Sequence, residues 1–291
     1  MNELEKALIK TKSIKIADAK KPFWYTSGTI GPYFINTHFL IKNENEANKI
    51  LSFIDKNKNN HKKFIPELID RILSFYKSSI IYKKSMDYLY SLIKKNKEFN
   101  ECEYISGGER RDWFFSPIIA YLSQKKLLFI YKDLQVYDNN NKITDLKKSK
   151  VCHICDLVTQ ASSFKRAWIP AIQNINGRLV CTISIVDRDE GGYKFFHDLN
   201  INYIPVVIID KNFFDNLLKQ KIINKNQVEL IQNYKNNPII FGKNFLLNNP
   251  EYLLLSLKDK KNTEKAKRCL DDNIYSFDFS TKPFSSLKYK K

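Results

Sequence analysis

The pattern of apolar and polar positions changes character near residue 101. Before that point apolar residues recur at helical intervals on a Lys-rich background: Ile50, Leu51 and Ile54, then Leu68, Ile69, Ile72 and Leu73, then Leu89, Leu92 and Ile93. This i, i+3, i+4 spacing predicts about three amphipathic helices over residues 42–100, with the Asn-Lys run at 56–63 as a solvated loop. Leu4, Ala7, Leu8 and Ile14 predict an earlier helix over residues 1–22. In between, residues 23–36 set glycines and a proline between aromatic runs, which predicts two short strands joined by a turn.

From residue 101 short apolar runs alternate with helical stretches, as in a mostly parallel α/β sheet. Strands are expected near residues 102–106, 127–131, 151–155, 179–186 and 203–209, with a long polar loop at 133–148. Pro170 should kink or shorten the helix that ends near residue 174, and Gly177 should cap it. Beyond residue 210 helical spacing returns at Phe213, Phe214, Leu217 and Leu218, and again at Leu246, Leu253, Leu254 and Leu255. The tail from Ser276 is aromatic and basic. These shifts divide the chain into an N-terminal hood and helical region (1–100), an α/β core (101–210) and a C-terminal helical extension (211–291).

Composition narrows the classes. The 291 residues, 43% hydrophobic, fit a globular protein, and no apolar run approaches the roughly 20 residues of a membrane span. The charged start lacks an apolar signal core, and five cysteines in such a chain read as reduced thiols, so the cytoplasm is the expected location. The net charge is +18, yet only seven of the 49 basic residues are Arg and the lysines are spread throughout. Base readers favour clustered Arg, so specific nucleic-acid binding is not expected, while a basic surface would draw in small polyphosphates. Cys152 and Cys155 form a C-x-x-C, but a structural zinc needs about four ligands and no second pair occurs.

Three stretches carry candidate chemistry. Residues 151–163, V-C-H-I-C-D-L-V-T-Q-A-S-S, read as a buried strand with Asp156 at its C-terminal end. The hydroxyls of Thr159, Ser162 and Ser163 follow, just before a helix start, where backbone N–H groups attract phosphate. Gly107-Gly108-Glu109-Arg110-Arg111-Asp112 follows an earlier strand; glycines permit close approach of a diphosphate, and arginines could grip it through charge-assisted forks. In V-D-R-D-E-G-G, residues 186–192, Arg188 at a strand end suits a planar carboxylate.

The stretch 151–163 resembles the diphosphoribose-binding motif of the type I phosphoribosyltransferases: a strand, two acids, two apolar residues, then Thr-x-Gly-Thr/Ser. Asp156 matches the second acid, and Leu157 and Val158 the apolar pair. Cys155 stands in place of the first acid and Ala161 in place of the turn glycine. Residues 23–36 resemble the N-terminal signature of orotate phosphoribosyltransferases, matching at Phe23, Ser27, Gly28, Pro32, Tyr33, Phe34 and Asn36, with Thr26 where that family has Lys. The same family carries V-D-R-x-E-G-G. Lys132 matches a diphosphate-contacting Lys, and residues 134–148 take the place of a mobile catalytic loop without its Lys-x-His-Gly pattern. The matches run in the family's order over residues 23–36 and 101–209.

The resemblance implies a type I phosphoribosyltransferase fold, a mostly parallel central sheet flanked by helices, with an N-terminal hood and extra helices. It implies transfer of phosphoribosyl from 5-phosphoribosyl 1-diphosphate (PRPP) to orotate, giving orotidine 5′-phosphate and diphosphate. Mg²⁺ would arrive on PRPP, near Asp156, without a direct protein ligand. Asp156 and Lys132 would be catalytic. Thr159, Gln160, Ala161, Ser162 and Ser163, together with Gly107, Gly108, Arg110 and Arg111, would bind PRPP, and Tyr33, Phe34 and Arg188 the base. Family members commonly form homodimers. A transferase for another base, or a silent PRPP-binding regulator, is the alternative.

Overall fold

The computed structural model describes residues 1–18, 20–139 and 141–278. Helix α1 (Glu3–Lys10) is followed by four short strands, β1 (Ile14–Ile16), β2 (Phe23–Trp24), β3 (Ile30–Gly31) and β4 (Tyr33–Ile35). Helices α2 (Glu44–Asn57), α3 (His61–Ser78), α4 (Ile80–Ile93) and α5 (Lys97–Glu101) come next. The alternating section runs β5 (Tyr104–Gly108), α6 (Ser116–Ser123), β6 (Lys126–Ile130), β7 (Val136–Asp138), β8 (Asn141–Lys142), β9 (Lys150–Val158), α7 (Ile169–Asn174), β10 (Arg178–Asp187), α8 (Gly192–Asp198) and β11 (Asn202–Ile208). Helices α9 (Lys211–Lys219), α10 (Lys225–Asn236), α11 (Pro238–Asn248), α12 (Pro250–Lys258) and α13 (Thr263–Asp271) complete it.

These elements group into two units, residues 1–14 with 36–213, and residues 15–35 with the chain from 214 onward. The grouping differs from three consecutive segments. The hood residues join the C-terminal helices, and α2–α5 join the sheet.

The first unit is built on a seven-stranded sheet in the order β11-β10-β9-β5-β6-β7-β8. The five strands from β11 to β6 pair in parallel, and β7 and β8 add antiparallel strands at one edge. Strands β9 and β10 are almost continuously buried, as parallel strands covered on both faces must be. From β5 the chain moves to β6 on one side; from β9 it moves to β10 and β11 on the other. The adjacent strands β5 and β9 therefore flank the point where strand order reverses, and a crevice opens beyond their carboxyl ends.

The helices follow the apolar spacing. Ala47, Ile50, Leu51 and Ile54 bury one face of α2, and Phe64, Ile65, Leu68, Ile72 and Tyr76 one face of α3. Several boundaries differ from expectation. The first helix ends at Lys10, because Thr11 turns its hydroxyl back onto the Ala7 carbonyl and Lys12 takes a left-handed φ of 56°. The supposed loop at 56–63 is largely helical, since α2 runs to Asn57 and α3 starts at His61. The polar loop at 133–148 contains the paired strands β7 and β8. Pro170, as expected, distorts its helix: a π-helical turn at Phe164–Trp168 runs directly into α7 just before it.

In the second unit β2 pairs antiparallel with β3, and β1 with β4. The Trp24 indole donates to Ser256 Oγ at 2.8 Å and stacks on Tyr252. The Tyr275 hydroxyl accepts the Ile30 N–H at 2.8 Å. Of the basic, aromatic tail expected from Ser276, everything beyond residue 278 lies outside the described residues.

Candidate active site

The crevice between β5 and β9 holds a cavity of about 290 Å³. One wall is Glu109, Arg110, Arg111 and Asp112, after β5; Lys132, after β6, stands beside it. The other wall is Asp156, Leu157, Val158, Thr159, Ala161, Ser162 and Ser163, at the end of β9 and the helix start beyond. Strand sequence and topology thus bring together the two arginines, the lysine, the acid and the hydroxyl turn. Gln160 is exposed beside this wall, not among its lining residues. Gly107 and Gly108 also sit outside the lining. A Cβ on Gly107 would collide with Ser116 Oγ, and one on Gly108 with the Trp168 ring, so close packing within the protein already requires both glycines.

A buried polar network supports the floor. Asp112 accepts the Gly108 N–H through Oδ2 at 2.9 Å and the Asp156 N–H through Oδ1 at 2.9 Å. His153 Nε2 lies 3.2 Å from Asp112 Oδ2, and its Nδ1 lies 2.9 Å from Ser106 Oγ. The imidazole is fully buried and stacks on Trp168. Asp112 therefore ties the diphosphate-loop candidate to the end of β9. The one sequence signal for this was a histidine inside an apolar strand, which as a buried polar group must find partners.

Asp156 accepts a hydrogen bond from Thr37 Oγ1 at 3.0 Å. Burial first, and then the neighbouring Asp112 carboxylate, push its carboxyl up to about 7, while Arg111 and the Thr37 hydroxyl pull the other way. A carboxyl whose proton is held this tightly at a cavity wall is a candidate for chemistry. His38 is driven in the opposite direction, to about 3, by burial and then by Arg111 and Arg110, so its ring is neutral.

Cys155, in the motif position of the first acid, is buried, and its thiol points at the Ile183 carbonyl at 3.5 Å. Burial raises the thiol well above its ordinary range. All five cysteines are free and buried. Ala161, in the position of the turn glycine, takes a left-handed φ of 54°. The turn keeps a glycine's backbone shape without a glycine.

Helix α2, which showed no chemistry in sequence, reaches this site. Lys58, its C-cap, forms an ion pair with Glu109, and Asp55 forms one with Arg110. Glu109 also accepts the Lys132 N–H at 3.1 Å.

Arg188 lies at the end of β10 outside the cavity lining and pairs with Glu190 at 3.0 Å. Its N–H donates to the Val158 carbonyl at 2.9 Å, and a Cβ on Gly192 would strike the Val158 side chain, so the 186–192 segment packs against the cavity-bearing strand. Tyr33 and Phe34 belong to the second unit. Tyr33 is 2% exposed, packed between the Phe214 and Tyr234 rings at 5.6 and 5.8 Å. Phe34 is half-buried against Phe23 and Tyr25. Among the described residues no group of three or more His, Cys, Asp or Glu side chains is arranged to hold a metal ion.

No family model matches the chain. Over 137 residues it is 26% identical to an orotate phosphoribosyltransferase of Methanosphaera stadtmanae, a match spanning 46% of this chain and 76% of that protein. Over 118 residues it is 30% identical to the orotate phosphoribosyltransferase of Methanococcus maripaludis, covering 40% of this chain and 63% of the relative. Its fold is similar to that of Leishmania donovani UMP synthase, with a TM-score of 0.54 at 15% identity, over 80% of this chain and 41% of the other. The orotate phosphoribosyltransferase of Francisella tularensis superposes with a TM-score of 0.50 at 16% identity, over 79% of this chain and 96% of the other. In its parallel sheet, its crevice and these sequence matches, the chain is similar to the type I phosphoribosyltransferases, and most like the orotate phosphoribosyltransferases.

Proposed function

We propose that the chain transfers phosphoribosyl from PRPP to orotate, forming orotidine 5′-phosphate and diphosphate. The observation that carries this reading is one cavity in which Arg110, Arg111 and Lys132 face Asp156 and the hydroxyl turn. The turn, with Thr159, Ser162 and Ser163 at a helix start, suits the 5′-phosphate. The cationic wall suits the diphosphate.

Displacement at the anomeric carbon breaks the bond to diphosphate as the base nitrogen attacks, and positive charge builds on the sugar. Ionised Asp156 would offset that charge, and Lys132 with the arginines would stabilise the leaving group. A divalent cation of the Mg²⁺ type, bound mainly by substrate phosphates with one or two carboxylates nearby, fits a wall that offers Asp156 without a protein cage. It would supply further neutralisation of the diphosphate. Arg188 is the candidate for the orotate carboxylate by its fork geometry; Tyr33 and Phe34 are assigned to the base, and a homodimer to the protein, by resemblance alone, while a cytoplasmic location rests on the charged start and the cysteine usage. No described helix is long and apolar enough to cross a membrane.

A second reading, PRPP binding without turnover, is favoured by the paired strands β7 and β8 in the place of the family's mobile loop, whose Lys-x-His-Gly pattern residues 134–148 lack. An assay with PRPP, orotate and Mg²⁺, following loss of orotate absorbance, separates the two. Orotate-dependent release of diphosphate supports the transferase. Thermal stabilisation by PRPP without product supports the silent binder, and neither signal overturns both.

A further inference from the structure

We propose that the corner between α2 and α3 is part of the diphosphate site, with Lys58 as a positioning residue that neutralises Glu109 on the cavity wall. This deepens the reading above and rests on it for the identity of the ligand. Glu109 lines the cavity with a side chain only 5% exposed. An uncompensated carboxylate there would be expensive to bury and would repel a polyanion. The cation that compensates it comes from 51 residues earlier in the chain, at the last turn of a helix.

The corner holds more than one piece of the wall. Through Glu109, Lys58 also fixes the backbone of Lys132, whose N–H bonds the same carboxylate at 3.1 Å. Asp55, one turn back on α2, pairs with Arg110, the next residue of the loop. At the start of α3, the His61 ring stacks on Tyr137 of β7 at 4.1 Å and 12°. A single corner thus grips the loop after β5 and the strand that follows β6, on either side of the phosphate-facing cations. Unlike an exposed i, i+4 pair, these contacts join segments distant in sequence, so breaking one displaces a wall rather than a surface charge.

The test compares Lys58→Met, the double variant Lys58→Met with Glu109→Gln, and Lys49→Met, an exposed lysine whose partner Glu46 lies on the same helix. Calorimetry with inorganic diphosphate should show about tenfold weaker binding for Lys58→Met and recovery to within about threefold in the double variant, with Lys49→Met unchanged. Amide exchange in the ligand-free protein should quicken at residues 109–111 and 132 in Lys58→Met alone among the single variants. Unchanged exchange at those amides overturns the positioning role, whatever the ligand. Weakened binding that Glu109→Gln fails to rescue overturns the neutralising role. A wild-type protein that ignores diphosphate overturns the phosphate reading instead, and the exchange result still decides the inference.

Discussion

The Asp112 carboxylate accepts the backbone N–H of Asp156 at 2.9 Å, which sets two acids side by side at the mouth of one strand. Burial, and after it this neighbouring carboxylate, make Asp156 hold its proton up to about 7, against an ordinary value of 3.8. Because the folded state binds that proton more tightly than the unfolded chain, its stabilising contribution is full below about pH 4 and is lost as pH rises through 7. Asp156→Asn should therefore raise stability at pH 8 by roughly 1–3 kcal/mol and have little effect near pH 4, as measured by denaturant unfolding at both values. No pH dependence of the difference would refute the shifted acid.

His38 works against this. Its folded value of about 3 lies below the ordinary 6.5, so its contribution is present above 6.5 and lost as pH falls toward 3. The two profiles oppose each other between about pH 4 and 6.5. His38→Gln should expose the Asp156 trend, leaving a variant whose stability climbs steadily on acidification through that window.

If the transferase reading holds, turnover needs ionised Asp156 and should rise with pH through about 7. A pH–rate profile of kcat/KM flat from 6 to 8 would remove Asp156 from the chemistry.

Cys155→Asp restores the family's acid in sequence, yet the structure predicts loss rather than gain. The new carboxylate would be buried against the Ile183 carbonyl and near Asp112, Asp156 and Asp187. A cost of about 3 kcal/mol or more is expected, lowering Tm by roughly 6–12 °C, with no rise in turnover. Scanning calorimetry beside the activity assay reads both. A faster enzyme would mean that the new carboxylate turns from the Ile183 carbonyl into the cavity that residue 155 borders.

Ala161→Gly should stabilise. Relief of the left-handed backbone is worth about 1–2 kcal/mol, less roughly 0.5–1 for the added freedom of the unfolded chain, for a net gain near 0.5–1 kcal/mol. Chemical denaturation of the pair of proteins measures it; a destabilised variant would contradict the φ of 54°.

The sheet and half of the site were legible because their signals are local. Strands β9 and β10 announced themselves as continuous apolar runs, and Asp156 with its hydroxyl turn occupies eight consecutive residues, 156–163. What escaped joins residues far apart. The His153–Asp112 contact spans 41 positions and the Lys58–Glu109 pair 51, and no periodicity links either. The same reason hid the second unit, whose residues 15–35 and 214 onward are separated by most of the chain. Reading Gly107 and Gly108 as ligand-driven was natural from spacing; the Ser116 and Trp168 contacts that also demand them are tertiary.

Strands β7 and β8 are already paired onto the sheet edge, with His61 laid flat against Tyr137. The entropy of ordering that segment is therefore met when the protein folds, not when a ligand arrives. Binding in so polar a socket buries little fresh apolar surface, so its heat-capacity change should be small and its affinity should drift only gently with temperature.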